Sequence, residues 1–140
     1  MLIVPDASVL LKWGFPGPSE RDRDKAEEVL AAWLEGKADI LLPRLWAFEV
    51  GNVLALKNPG HASEMMEVFL GYRFPEAETT PDLCREAFRL VQRCGVTFYD
   101  AAYHAVALRN GGTMLTADEA YYRKASGHGS VALLREFGPA

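Results

Sequence analysis

The 140 residues fit one domain. At 49% apolar and 24% charged, the chain can bury one core, is too apolar to be disordered, and holds no apolar run of the roughly 18 residues that a membrane span needs. The net charge of −4 speaks against nonspecific electrostatic binding to nucleic acid, except where bound metal inverts the charge of an acidic site.

Met1-Leu2-Ile3-Val4 has no basic segment before it and no small-residue cleavage site after it, so it reads as a first strand, Leu2 to Pro5, and not as a signal peptide. A cytoplasmic protein is expected. Ala7 to Trp13 follows as a short helix. Phe15-Pro16-Gly17-Pro18-Ser19 is a loop with Ser19 placed to cap the next helix. That helix runs over about 20–35 on the spacing of Ala26, Val29, Leu30, Trp33 and Leu34, and Gly36 ends it. Arg21, Arg23 and Lys25 alternate with Asp22, Asp24, Glu27 and Glu28, which marks a solvated helix face. Ile40 to Leu42 reads as a second strand, and Pro43 opens a helix to about Lys57. After the break at Asn58-Pro59-Gly60, a helix spans His61 to about Tyr72, and a short strand is expected at Ala77 to Thr79.

Pro81 to Cys94 is an amphipathic helix ended by Gly95. Its two cysteines, Cys84 and Cys94, stand about 15 Å apart on it, too far for a disulfide, and read as small core residues. A helix beginning at Tyr99 or Asp100 ends near Asn110-Gly111-Gly112. Thr113 to Leu115 is a strand, Asp118 to Ala125 a helix and Ser130 to Leu134 a last strand. Strands alternating with helices predict an α/β fold with a central parallel sheet covered on both faces. In such sheets ligands bind outside the carboxyl ends of the strands.

Acids stand where that rule looks for them. Asp6 follows the first strand, Asp100 follows the apolar run Val96-Thr97-Phe98-Tyr99, and Asp118 follows Met114-Leu115-Thr116-Ala117. Glu49 lies in an apolar helix among Trp46, Ala47, Phe48 and Val50, where an unpaired charge is costly. Each Asp alone has a plain alternative as a helix cap, and Glu49 as half of an ion pair. His104, one turn beyond Asp100, reads as a hydrogen-bonded core residue. Trp33 and Trp46 read as core or interface. Lys12 and Trp13 lie close to the expected pocket. Carboxylates brought together at strand ends repel, and a hard divalent cation such as Mg²⁺ or Mn²⁺ relieves that repulsion. A metal so held activates water and stabilises charge on phosphorus. The chain has no zinc-type ligand cluster, phosphate-binding glycine loop or nucleophile elbow to suggest other chemistry.

Four stretches carry a family likeness. Val4-Pro5-Asp6-Ala7-Ser8-Val9-Leu10-Leu11-Lys12-Trp13 resembles the opening of PIN domains, especially the VapC-like toxins of toxin–antitoxin pairs. Glu49-Val50-Gly51-Asn52-Val53-Leu54, Phe98-Tyr99-Asp100-Ala101-Ala102-Tyr103-His104-Ala105-Val106-Ala107 and Leu115-Thr116-Ala117-Asp118 are similar to the second, third and fourth motifs of that family, in the same order. Pro5 departs from the usual aliphatic residue, which a strand end tolerates. The resemblance implies a three-layer α/β/α sandwich over residues 1–140 and Mg²⁺- or Mn²⁺-dependent cleavage of single-stranded RNA. It implies Asp6 and Asp100 as direct metal ligands, Glu49 as a ligand or orienter of water, and Asp118 completing the pocket directly or through water. Ser8, Asn52 and Thr116 would back these acids. Family members often form homodimers, and the toxins bind a small antitoxin whose tail blocks the pocket.

Two other readings compete. A catalytically silent PIN-fold module would bind RNA or protein without cutting, against which stands the presence of all four acids. A phosphoacceptor domain would want two adjacent acids after its first strand and a Lys after its last, and the sequence has neither.

Overall fold

The computed structural model describes residues 1–14 and 21–138. The loop expected at Phe15 to Ser19, with its Ser19 cap, lies outside the described residues. Strand β1 (Leu2–Pro5) runs parallel between β2 (Asp39–Ile40) and β5 (Thr113–Thr116), and β6 (Val131–Leu133) runs parallel on the far side of β5. Successive strand residues point to opposite faces. Ile3 and Val4 of β1, like Met114 and Leu115 of β5, are all buried, so helices cover both faces. One cover is α6 (Phe98–Asn110), with α5 (Pro81–Cys94) packed against it. The other is α1 (Ala7–Gly14), with α2 (Arg23–Leu34) beside it. This is the expected α/β/α sandwich.

Local chemistry sets the ends of these helices. The Thr80 hydroxyl accepts the Leu83 N–H at 3.1 Å ahead of Pro81, and Gly95 ends α5 with a left-handed φ of +66°. Leu83, Ala87 and Leu90 form its buried stripe, while Arg89 pairs with Glu86 on the outer face. Residues 101–107 of α6 are buried without exception, as the apolar sequence requires.

Two expectations are corrected. The single strand expected at Ile40 to Leu42 is split: β2 joins the main sheet, whereas β3 (Leu42–Pro43) pairs with β4 (Glu76–Ala77) in a separate two-stranded sheet. Pro43 therefore closes a strand and opens no helix, and α3 spans Trp46–Lys57. It is followed by α4 (Ala62–Gly71). The helix expected to begin at Tyr99 or Asp100 begins slightly earlier, at Phe98. Thr97 caps α6 through its side chain, and Phe98 and Tyr99 form the first turn.

Phe74 sits at the centre of an aromatic cluster, with ring centroids of Trp33, Trp46, Tyr72 and Trp13 at 5.0, 5.1, 5.4 and 5.9 Å. The Trp13 indole donates to the Ala26 carbonyl at 2.6 Å, and that of Trp46 to Glu76 Oε2 at 2.8 Å. Trp46 is a core residue, and Trp13 and Trp33 are half-buried against the core. The basic residues of α2 pair with its acids, Arg23 with Glu27 and Lys25 with Glu28, as a solvated face should. Cys84 and Cys94 are both free and half-buried.

Candidate active site

The chain passes to β2 on one side of β1 and later to β5 on the other, so the carboxyl ends of β1 and β5 form a topological switch point. Asp6 occupies it. Its backbone N–H donates to the Leu115 carbonyl at 3.0 Å, extending the β1–β5 ladder by one bond, and its carbonyl accepts from Val9 and Leu10 to start α1. The side chain is only 5% exposed. Oδ1 accepts the Ser8 hydroxyl and the Val9 N–H, and Oδ2 accepts the Thr116 hydroxyl at 2.6 Å. Ser8 Oγ in turn accepts the Ala117 N–H, and Thr116 Oγ1 the Asp118 N–H, both at 3.0 Å. Both hydroxyl protons are thus committed to Asp6, and the two residues tie the end of β1 to the end of β5. Burial pushes the Asp6 carboxyl up to about 6, against the pull of Ser8, Thr116 and Val9, and the charge of Asp100 adds to the rise.

Asp100 is half-buried in the first turn of α6, its N–H held by Thr97 Oγ1 at 3.1 Å. Burial and then the nearby Asp118 raise its carboxyl above the usual range. Glu49, in the first turn of α3, is also half-buried. Burial raises it, the Tyr103 hydroxyl pulls it down and the charge of Asp100 raises it again. Asp100 is therefore the electrostatic hub that senses or is sensed by the other three acids. Among the described residues, none of the four forms an ion pair with Lys, Arg or His.

The assembly is open. Asp118 is exposed and turns one oxygen back to cap α7 (Glu119–Ala125), accepting the Tyr121 N–H at 3.1 Å. Both oxygens of Asp6 are engaged by Ser8, Val9 and Thr116. Among the described residues no group of three or more His, Cys, Asp or Glu side chains stands ready to hold a metal ion. Asn52 is exposed on the wall of a groove beside Glu49, with no hydrogen bond to any of the four acids. Lys12 is nearly buried and donates to the Arg21 carbonyl at 2.6 Å.

Sequence reasoning missed Tyr103. It is fully buried one turn after Asp100, and its hydroxyl is driven far above the ordinary range by burial first and Glu49 second, with Asp6 and Asp100 adding. The Tyr103 hydroxyl lies beside the Glu49 carboxyl, yet that hydroxyl and Glu49 Oε1 are both buried without a hydrogen-bond partner of good geometry. A tyrosine set among alanines on the buried part of the helix was the available signal, because a buried phenol needs a polar neighbour. His104 takes the core role expected of it. Nε2–H donates to the Gly129 carbonyl at 2.7 Å, which leaves Nδ1 to accept the Tyr121 hydroxyl at 2.8 Å. Burial holds it below its usual pKa, as a neutral imidazole.

Residues 3–127 match the family model for the PIN domain. The chain is 31% identical over 125 residues to a protein of Pyrobaculum aerophilum named Ribonuclease VapC3, a match covering 84% of this chain and 90% of that one. Among solved structures, a toxin–antitoxin complex from Klebsiella pneumoniae superposes with a TM-score of 0.67 at 20% identity, over 96% of this chain and 99% of that one. The protein PAE2754 of Pyrobaculum aerophilum superposes with a TM-score of 0.65 at 25% identity, over 96% and 90% of the two chains.

Proposed function

The chain belongs to the PIN-domain family, and on that premise we propose that it is a metal-dependent endoribonuclease, the toxin of a toxin–antitoxin pair. The observation that carries this reading is the set of carboxylates near the β1–β5 switch point, centred on Asp100 and without cationic partners among the described residues.

The donors suit a hard divalent cation in their chemistry. All are carboxylate oxygens, and three of the four acids are raised by burial and by one another. Asp6, Asp100 and Asp118 would hold Mg²⁺ or Mn²⁺, with Glu49 beside them. When bound, such an ion supplies Lewis acidity to a phosphodiester and makes water a better nucleophile. The chain's own residues supply the rest. Ser8 and Thr116 fix the Asp6 carboxylate against rotation, as supporting partners of a ligand do. Tyr103 braces Glu49 from the buried side, and the carboxylate would orient the attacking water and take its proton as the water oxygen bonds to phosphorus and the leaving P–O bond breaks, the departing oxygen taking a proton from solvent. The substrate is single-stranded RNA. The same reading makes the protein a cytoplasmic homodimer whose pocket a small antitoxin closes. No helix among the described residues is long and apolar enough to cross a membrane.

Purified protein is expected to cleave single-stranded RNA with Mg²⁺ or Mn²⁺ and to stop when EDTA is added, as read by gel electrophoresis. Cleavage that continues at the same rate in EDTA would refute the reading.

A further inference from the structure

The groove beside Glu49 has a composition unlike the rest of the site. It is lined by Leu45, Phe48, Glu49, Asn52 and Tyr99. Phe48 is 83% exposed and Tyr99 61%, although aromatic rings of this size bury strongly wherever they can. Neither joins an aromatic contact within the described residues, in contrast to Trp13, Trp33 and Trp46. Each immediately precedes one of the acids, Phe48 before Glu49 and Tyr99 before Asp100, in the first turn of α3 and of α6 respectively. The two rings are therefore held on the same helix turns as the carboxylates.

The lining also says what fits. Its one charged group is the Glu49 carboxylate, which repels phosphate and acidic side chains. The remaining surface offers flat apolar rings and, from Asn52, an amide that both donates and accepts. A neutral, planar, amide-edged ring matches that combination: stacking favours every base, and an Asn amide pairs with base edges. A base is free to enter only where the strand is unpaired, because in a duplex both its faces are stacked.

We propose that Phe48 and Tyr99 form a base platform that takes one unpaired nucleobase of the RNA next to the bond being cut, with Asn52 at its edge. The proposal rests on the ribonuclease reading and adds to it how the substrate strand is gripped. The Glu49 carboxylate leaves this groove to the neutral base and not to phosphate, and single-strand preference follows from the need to unstack a base.

The test uses an RNA of about 12 nucleotides carrying a cleavage site mapped beforehand in total RNA. Phe48→Leu and Tyr99→Leu keep apolar bulk and remove the flat ring. Each is expected to raise KM about tenfold with kcat within about twofold of the parent, and Phe48→Trp to restore KM. An abasic nucleotide at the stacked position should raise the parent's KM to the same degree, after which Phe48→Leu adds nothing. Light scattering on each variant accompanies the kinetics. Unchanged KM in both leucine variants, with RNA still cut, overturns the platform and leaves the ribonuclease reading standing. A KM change that tracks loss of an oligomer also overturns it, because the rings would then be an interface between copies. A parent protein that cuts no RNA removes both readings together.

Discussion

Replacing Asp6 or Asp100 with Asn should lower RNA cleavage on the order of a thousandfold, the scale of losing a principal electrostatic stabiliser. The two substitutions are nearly isosteric, so the expected loss is one of charge and not of fold. Asp100 is coupled to all three other acids, and Asp6 is fixed by two hydroxyls and a backbone N–H at the switch point. Thr116→Val removes only a supporting hydrogen bond and should cost about 10- to 100-fold. Initial rates on one RNA substrate, with circular dichroism melts of each variant alongside, check this ordering. A Thr116→Val loss equal to that of Asp6→Asn would mean that the position of the carboxyl matters and its charge does not. Asp118 should be the most forgiving of the four, since it is exposed and one of its oxygens caps α7.

The metal-free protein should lose stability as pH rises, and Asp6→Asn should recover it. The Asp6 carboxyl titrates at about 6 in the folded chain against an ordinary value of 3.8. Between those values the folded state keeps a proton that the unfolded chain has released, so folding is favoured at the acid end and that contribution fades as pH climbs through 6. The difference corresponds to about 3 kcal/mol. Glu49 and Asp100 are raised as well and act in the same direction, while Glu119, lowered by Arg135, acts in the opposite one from an exposed site. Urea denaturation in EDTA should therefore find Asp6→Asn more stable than the parent at about pH 7.5, with the advantage narrowing toward about pH 4. An advantage that is constant across this range, or absent throughout, would contradict the burial-driven rise. A substitution that ends activity while adding stability is what a site assembled at the expense of folding should yield.

How much of this was legible in the sequence depended on the kind of signal. Pro81 and Gly95 bracket α5, and Gly111 ends α6, because each meets a backbone requirement that few other residues satisfy. Asp6 was legible because a polar residue directly after a buried strand falls at a sheet end whichever way the chain folds. The split of Ile40 to Leu42 between two sheets was invisible, since it depends on the Leu42 N–H bonding the carbonyl of Pro75, far along the chain. Within the site, residue types located the four acids, but their relations are tertiary. That Asp100 is the hub, that Asp118 faces back to cap its own helix and that Tyr103 braces Glu49 all follow from how α3, α6 and β5 pack together.

Binding of Mn²⁺ bears most directly on the idea that repelling carboxylates await a cation. In thermal-shift titrations at neutral pH, the parent should gain about 2.7 kcal/mol at a hundredfold excess over Kd, a rise of several degrees in Tm. Asp6→Asn and Asp100→Asn should start from a higher or equal Tm in EDTA and gain little from the metal. A parent that gains nothing, or variants that gain as much as the parent, would contradict a cation held among these side chains.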